Sequence, residues 1–187
     1  MRDENTFAIK IPAWKYAEIE KKVAELYIKQ KVCSFPIDPF EIIRVKGYRL
    51  IPFSKFNNGN RPECVSDDND AFSFFAPNLE TYIIVYNDNK PLPRIRFTLM
   101  HELGHIELGH KGESNLARRM ADYYAGYALA PSPLIDTYAS EEIPDIVSVF
   151  WVSNECADIC SSRYQKWRQY CGKSLKDYEI RLVNLFK

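Results

Sequence analysis

The chain predicts an α+β fold, with an N-terminal helical part, a strand-rich middle containing a hairpin, a central motif helix and a helical tail. Three observations carry this. Apolar residues recur at helical spacing near the N-terminus, in the centre and in the tail. Two β-rich runs, 71–75 and 81–86, are joined by Pro77-Asn78, the pattern of a hairpin. Helical and strand-like stretches are segregated along the chain instead of alternating, which favours α+β over a parallel α/β sheet.

The elements follow in order. From Ala13 to about Gln30, Trp14, Ala17, Ile19, Val23, Ala24, Leu26 and Tyr27 sit among Lys and Glu at amphipathic spacing, so a surface helix is expected. Asp38-Pro39 reads as an N-cap followed by Pro at the first helical position, opening a short helix that Gly47 closes. Tyr48 to Phe53 reads as a strand. Asn57 to Asn60 and Ser66 to Asp70 read as loops; the acidic residues of the second lack the spacing of a calcium loop. After the hairpin, Pro93 leads into a helix through the motif region, apolar at Phe97, Met100, Gly104 and Leu108 and again at Leu99, Leu103 and Ile106. Such a helix is buried on most sides. Gly104 inside it costs about 1 kcal/mol of helix propensity relative to Ala, so it marks a close approach of another backbone or a substrate strand. Ser114 to Leu129 forms the next helix, stopped by Pro131 and Pro133, with Ala117, Ala121, Tyr124, Ala125 and Ala128 on one face.

The chemistry is concentrated in the central helix. All three histidines of the chain, His101, His105 and His110, fall within ten consecutive positions. His101 and His105 are four residues apart, just over one turn, and stand on the same helix face. Two neutral imidazoles there can bind one Zn²⁺, and Glu102, next round the helix, can act as general base on a water: the H-E-x-x-H arrangement of a zinc hydrolase. Buried imidazoles and a carboxylate need partners, because unpaired buried polar groups cost several kcal/mol, and a metal supplies one.

Composition sets limits. The chain has 187 residues, 46% apolar and 27% charged, enough for one domain or a domain with a small appendage. Lys plus Arg and Asp plus Glu number 25 each, so no global charge draws it to nucleic acid or membrane. No apolar run approaches a membrane span, and no apolar segment behind Met1 to Asn5 makes a signal peptide. Cys33, Cys64, Cys156, Cys160 and Cys171 are an odd set without a framework, expected to be buried and reduced, which places the chain in the cytoplasm.

At this point the sequence resembles a known family. The stretch from Arg94 through His101-Glu102-Leu103-Gly104-His105 to His110 resembles the signature of the ImmA/IrrE metallo-endopeptidases, and Ala121 to Pro131 is similar, at the same spacing, to that family's second motif. Phe35 to Asp38, the hairpin end Tyr86-Asn87-Asp88 and the tail around Phe150 to Ser153 also resemble it, so the likeness covers most of the chain from Tyr16 onward. The resemblance implies a zincin-like core, with a small antiparallel sheet packed on the motif helix, and a protein substrate, a transcriptional regulator such as the repressor of a mobile genetic element. Carried over by position, His101 and His105 are zinc ligands and Glu102 is the general base.

One departure concerns the third ligand. The family has a glutamate just upstream of its second motif, where this chain reads Arg118-Arg119-Met120. A guanidinium offers no lone pair and repels Zn²⁺. Asp122, one turn beyond Arg118, is the expected replacement, although in the family that position supports a ligand histidine from behind. Glu113 and His110 remain the other candidates, the latter only where Gly109 ends the helix and frees it.

The expected organisation is a metallopeptidase domain at 1–135, containing the N-terminal helix and the sheet, and a helical C-terminal subdomain at 136–187. In the tail, 146–150 and 155–170 with Ser153 as N-cap can be drawn as a helix-turn-helix, followed by a capping box at Ser174 to Asp177. The tail carries as many acids as bases, so Trp151, Tyr164 and Trp167 read as core residues and direct nucleic-acid binding is not expected. The reading is a Zn²⁺-dependent endopeptidase acting on a regulatory protein. The alternatives are a lapsed member that only binds a repressor and, third, a DNA-binding regulator.

Overall fold

A computed structural model of the chain describes residues 10–56, 65–66, 69–112, 114–170 and 174–187. The Asn57 to Asn60 loop, Asp67, Asp68, Cys64, Glu113 and Cys171 lie outside the described residues.

Helix α1 (Ala13–Gln30) buries Ile19, Val23, Ala24, Leu26 and Tyr27 of the stripe expected from its spacing, while Ala17 is half-buried and Trp14, in the first turn, is 64% exposed. Helix α2 (Pro39–Val45) starts as its sequence requires: the Asp38 carboxylate accepts from the amides of Phe40 at 2.9 Å and Glu41 at 3.4 Å, and Pro39 takes the first position. Gly47, at φ +77°, turns the chain into β1 (Arg49–Pro52). Strand β2 (Ala71–Ala76) and strand β3 (Thr81–Tyr86) form the hairpin, joined by a 3-10 turn at Pro77–Leu79.

The fold is α+β, as the sequence predicts, but the sheet is mixed. Its order is β1-β3-β2: β2 pairs antiparallel with β3, whereas β1 pairs parallel with it. Only the β2–β3 link is short enough to force a hairpin. The long connection after β1 lets the chain cross, leaving β3 in the middle. Ile84 of β3 joins the main core, while Ile83 and Val85 face the other way into a small cluster with Phe53 and Val65. The period of two thus divides one strand between two cores.

Helix α3 (Leu92–Glu107) carries the motif and packs most closely on α4 (Asn115–Leu129). Ser114 caps α4, its Oγ accepting from the Ala117 amide at 3.0 Å. The small face of α4 is fully used, with Ala121, Tyr124, Ala125 and Ala128 at 0% exposure. A Cβ on Gly104 would lie 3.1 Å from Cβ, Cγ and Cδ1 of Tyr124. The close approach expected at Gly104 is therefore made by a side chain of α4, not by a backbone or substrate strand.

The tail holds α5 (Ser132–Tyr138), α6 (Ile143–Phe150), α7 (Asn154–Tyr170) and α8 (Asp177–Leu185). Helix α5 is an element the Pro131 and Pro133 stop signals concealed: Pro133 sits in its first turn, where a missing amide costs nothing. Ser153 caps α7 as expected, accepting from the Cys156 amide at 3.2 Å. The capping expected from Ser174 falls instead on Lys176, whose amide donates to Glu179 Oε2 at 2.7 Å. Tyr164 is buried, but Trp151 is 55% exposed, because at φ +55° it terminates α6 and leaves the core. Cys33 is also exposed, contrary to expectation, while Cys156 and Cys160 are buried free thiols with Sγ atoms 4.0 Å apart.

The main core runs from Ile11 to Val183 and draws on every helix. Arg96, 4% exposed, ties three segments together: its guanidinium donates to the carbonyls of Ile37 at 2.6 Å and Phe150 at 3.1 Å, and to that of Trp151. A cation there also meets the negative end of α6. No helix among the described residues is long and apolar enough to cross a membrane.

Candidate metal centre

Four side chains form a line across α3 and α4. Asp122 Oδ1 lies 2.8 Å from His101 Nδ1, His101 Nε2 lies 3.1 Å from His105 Nε2, and His105 Nδ1 lies 3.1 Å from His110 Nδ1. A carboxylate only accepts, so His101 donates from Nδ1 to Asp122, and in the neutral ring this leaves Nε2, the atom facing His105, as the acceptor. Asp122 therefore engages the ring nitrogen facing away from the Nε2 pair. It is 47% exposed at its side chain, and His101 is 17% exposed.

His110 reaches this line because α3 stops. Glu107 is the last helical residue and Leu108 the C-cap, Gly109 adopts φ +68°, and two reversed hydrogen bonds close the end: Gly109 N–H to Ile106 O at 3.1 Å and His110 N–H to His105 O at 3.0 Å. This is a Schellman cap, and it swings His110 back over His105, where a continued helix would have pointed it away. Burial, then the charges of Lys15 and His101, push the His110 pKa below its usual value. Its Nε2 is buried with no hydrogen-bond partner among the described residues.

Glu102 is held from the sheet. Ser73 Oγ donates to Glu102 Oε2 at 2.6 Å. The register explains the reach: Ser73 stands opposite Ile84 in the antiparallel pair, so both side chains share the face that Ile84 turns to the helices. A one-residue slip would put Phe72 or Phe74 there instead. Ser73 was not singled out by the sequence, although a lone hydroxyl in Ala71-Phe72-Ser73-Phe74-Phe75 was the available signal.

Arg118 is exposed on α4 and Met120 is buried in the core, so neither stands in for the family's glutamate. Among the described residues, no group of three or more His, Cys, Asp or Glu is arranged to hold a metal ion. The structure does bring the two motif histidines together, Nε2 to Nε2. Two imidazoles sharing one tetrahedral Zn²⁺ at 2.0–2.1 Å have their ligating nitrogens about 3.3 Å apart. The pair as it stands fits that half of a zinc site.

A family model, peptidase M78 with an IrrE N-terminal-like domain, matches residues 62–159, just over half of the chain. The chain belongs to this family. No curated protein matches it. Peptidase M78 is a zinc metallopeptidase family, and its match contains Ser73, His101, Glu102, His105, His110 and Asp122. A peptidase family implies a protein substrate.

Proposed function

We propose that the chain is a zinc-dependent endopeptidase that cuts a regulatory protein, with His101 and His105 as metal ligands and Glu102 as general base. The observation that carries this reading is the Nε2 pair at 3.1 Å, next along the helix from a carboxylate held at 2.6 Å by Ser73. When bound, zinc supplies Lewis acidity toward the scissile carbonyl and the attacking water. Glu102 takes the proton of that water and returns it to the leaving amine. Ser73 fixes the orientation of Glu102 through Oε2. Strand β2 pairs only with β3 in the described sheet, so its outer edge can take the substrate backbone as a further strand.

Asp122, the expected third ligand, is better read as a positioning residue. Its bond to Nδ1 locks the tautomer of His101 and raises the basicity of Nε2. His110 does the same for His105: with both Nε2 atoms bare for the metal, His105 donates from Nδ1 to His110 Nδ1. The regulatory nature of the substrate is carried by the motif resemblance, whose known members cut repressors and related transcription factors.

A lapsed member that binds without cutting is the second reading, favoured by the Arg118-Arg119-Met120 segment and by the lack of a three-residue metal cluster among the described residues. One experiment separates the two: metal content per chain, with cleavage of a peptide library followed by mass spectrometry, for wild type and Glu102→Gln. The wild type is expected to hold zinc and cut. Glu102→Gln is expected to hold zinc and lose about 10²–10⁴-fold in rate, the usual worth of a general base. Undiminished cutting by Glu102→Gln would remove Glu102 from the mechanism, and a wild type inactive with excess zinc would select the lapsed member.

A further inference from the structure

A groove of about 1010 Å³ runs between α1, α4, α7 and the start of α8, and it begins at Asp122, the residue bonded to His101. Most of its wall comes from segments outside the matched 62–159 region, so it belongs to this chain more than to the shared domain.

Its charges are unbalanced. Arg119, Arg163, Lys166 and Lys176 line it, against Glu20 and Asp122. Both acids are already committed. Glu20, 7% exposed, accepts from the hydroxyls of Tyr123 at 2.6 Å and Tyr178 at 2.7 Å and lies 3.5 Å from Lys176 Nζ. Asp122 is turned to His101. No ion pair is formed by Arg119, Arg163 or Lys166 among the described residues. Arg163 is held by stacking, its Cζ 4.5 Å from the centre of the Tyr123 ring; its Nη1 is buried toward Gly126, and the rest of the side chain lines the groove. A guanidinium fixed by an aromatic face and left without a carboxylate is a preformed anion site.

The walls between these cations are mainly apolar, with Ile11, Ile159 and Trp167 contributing. A nucleic-acid backbone could use the cations but would leave the apolar wall between them uncovered. A small anion would leave the apolar wall wet, and the volume is at the top of the roughly 300–1,000 Å³ range of small-molecule sites. A peptide with acidic residues on one side and apolar residues on the other satisfies both surfaces.

We infer that this groove is an exosite for an acidic, apolar-faced segment of the protein substrate, holding it beside the metal centre. The occupant's identity as substrate rests on the peptidase reading; the binding itself does not.

The test is fluorescence anisotropy with a fluorescein-labelled helical peptide bearing Glu on one face and Leu on the other. The same peptide with Lys for Glu, and labelled oligothymidylate, serve as comparisons. The Glu peptide is expected to bind in a salt-sensitive way, equally well to Glu102→Gln and in the presence of chelator. Arg119 and Lys166 are exposed, so the Arg119→Glu/Lys166→Glu double variant should fold normally and weaken the peptide about tenfold or more, as reversal of rim charges does. Equal binding of the Glu and Lys peptides, an unchanged affinity in the double variant, or competition by oligothymidylate would overturn the exosite. Intact peptide binding by a protein that cuts nothing would leave the exosite standing and remove the peptidase reading.

Discussion

The candidate metal centre and the groove beside it share Asp122 but are built in opposite ways. The centre is compact in sequence: His101, Glu102, His105 and His110 lie within ten residues, and α4 adds Asp122 one packed helix away. The groove collects α1, α4, α7 and the start of α8, segments separated by up to about 160 positions. Helical periodicity alone puts His101 and His105 on one face, whereas no local rule puts Tyr16 near Lys176. Candidate chemistry can thus be local in sequence while the groove beside it is assembled by tertiary packing.

The largest effect expected from sharpening this comparison concerns Asp122, which belongs to both regions. A positioning role and a ligand role separate in the amide variant. Asn retains a side-chain oxygen able to accept from His101 Nδ1, but it is a poor zinc ligand. Asp122→Ala is expected to weaken zinc about 10–100-fold, the usual worth of a residue that orients a ligand histidine, and Asp122→Asn to recover most of that loss. Chelator competition measures both. Equal losses in Asn and Ala would return Asp122 to the ligand set.

That question was left open by the sequence for a physical reason. Position on α4 fixes which face Asp122 leaves from, but not which ring nitrogen it meets; that depends on the α3–α4 packing around Gly104 and Tyr124. The H-E-x-x-H face, the Asp38 and Ser153 caps and the hairpin were legible because each rests on contacts within a few residues. Ser73 on Glu102, the parallel pairing of β1 and the outward turn of Trp151 were not. The first two need strand register and crossover, and the third needs a left-handed residue where nothing in the side chain requires one.

The next largest effect tests how tightly the centre is supported. A methyl added at Gly104 meets three atoms of Tyr124 at 3.1 Å, and Tyr124 is 0% exposed with no room to yield. Gly104→Ala gains about 1 kcal/mol of helix propensity but overpacks the seam at a cost of about 1–3 kcal/mol. A net loss of about 1 kcal/mol is expected by urea denaturation, with weakened zinc binding because α3 and α4 carry His101 and Asp122. A stabilised variant with full zinc affinity would show that the seam is softer than its contacts imply.

The smallest effect on stability belongs to the corresponding glycine on the groove side. A Cβ at Gly126 would lie 2.5 Å from Arg163 Nη1, closer than at Gly104, yet the obstacle is the far end of a flexible side chain. Arg163 can swing away, losing its stack on Tyr123, while α4 gains about 1 kcal/mol from replacing a helical glycine. Gly126→Ala is therefore expected to change unfolding free energy by less than about 1 kcal/mol. It should leave zinc affinity alone: Asp122 is one turn away on the same face of α4, but the three atoms nearest the added Cβ all belong to Arg163, so the His101–Asp122 bond is not disturbed. Its signature is in the groove: with the guanidinium displaced, the acidic peptide should bind several-fold more weakly. The two glycines then report separately, Gly104 through stability and metal, Gly126 through peptide alone. A Gly126→Ala variant that lost zinc along with the peptide would show that the two regions are mechanically one.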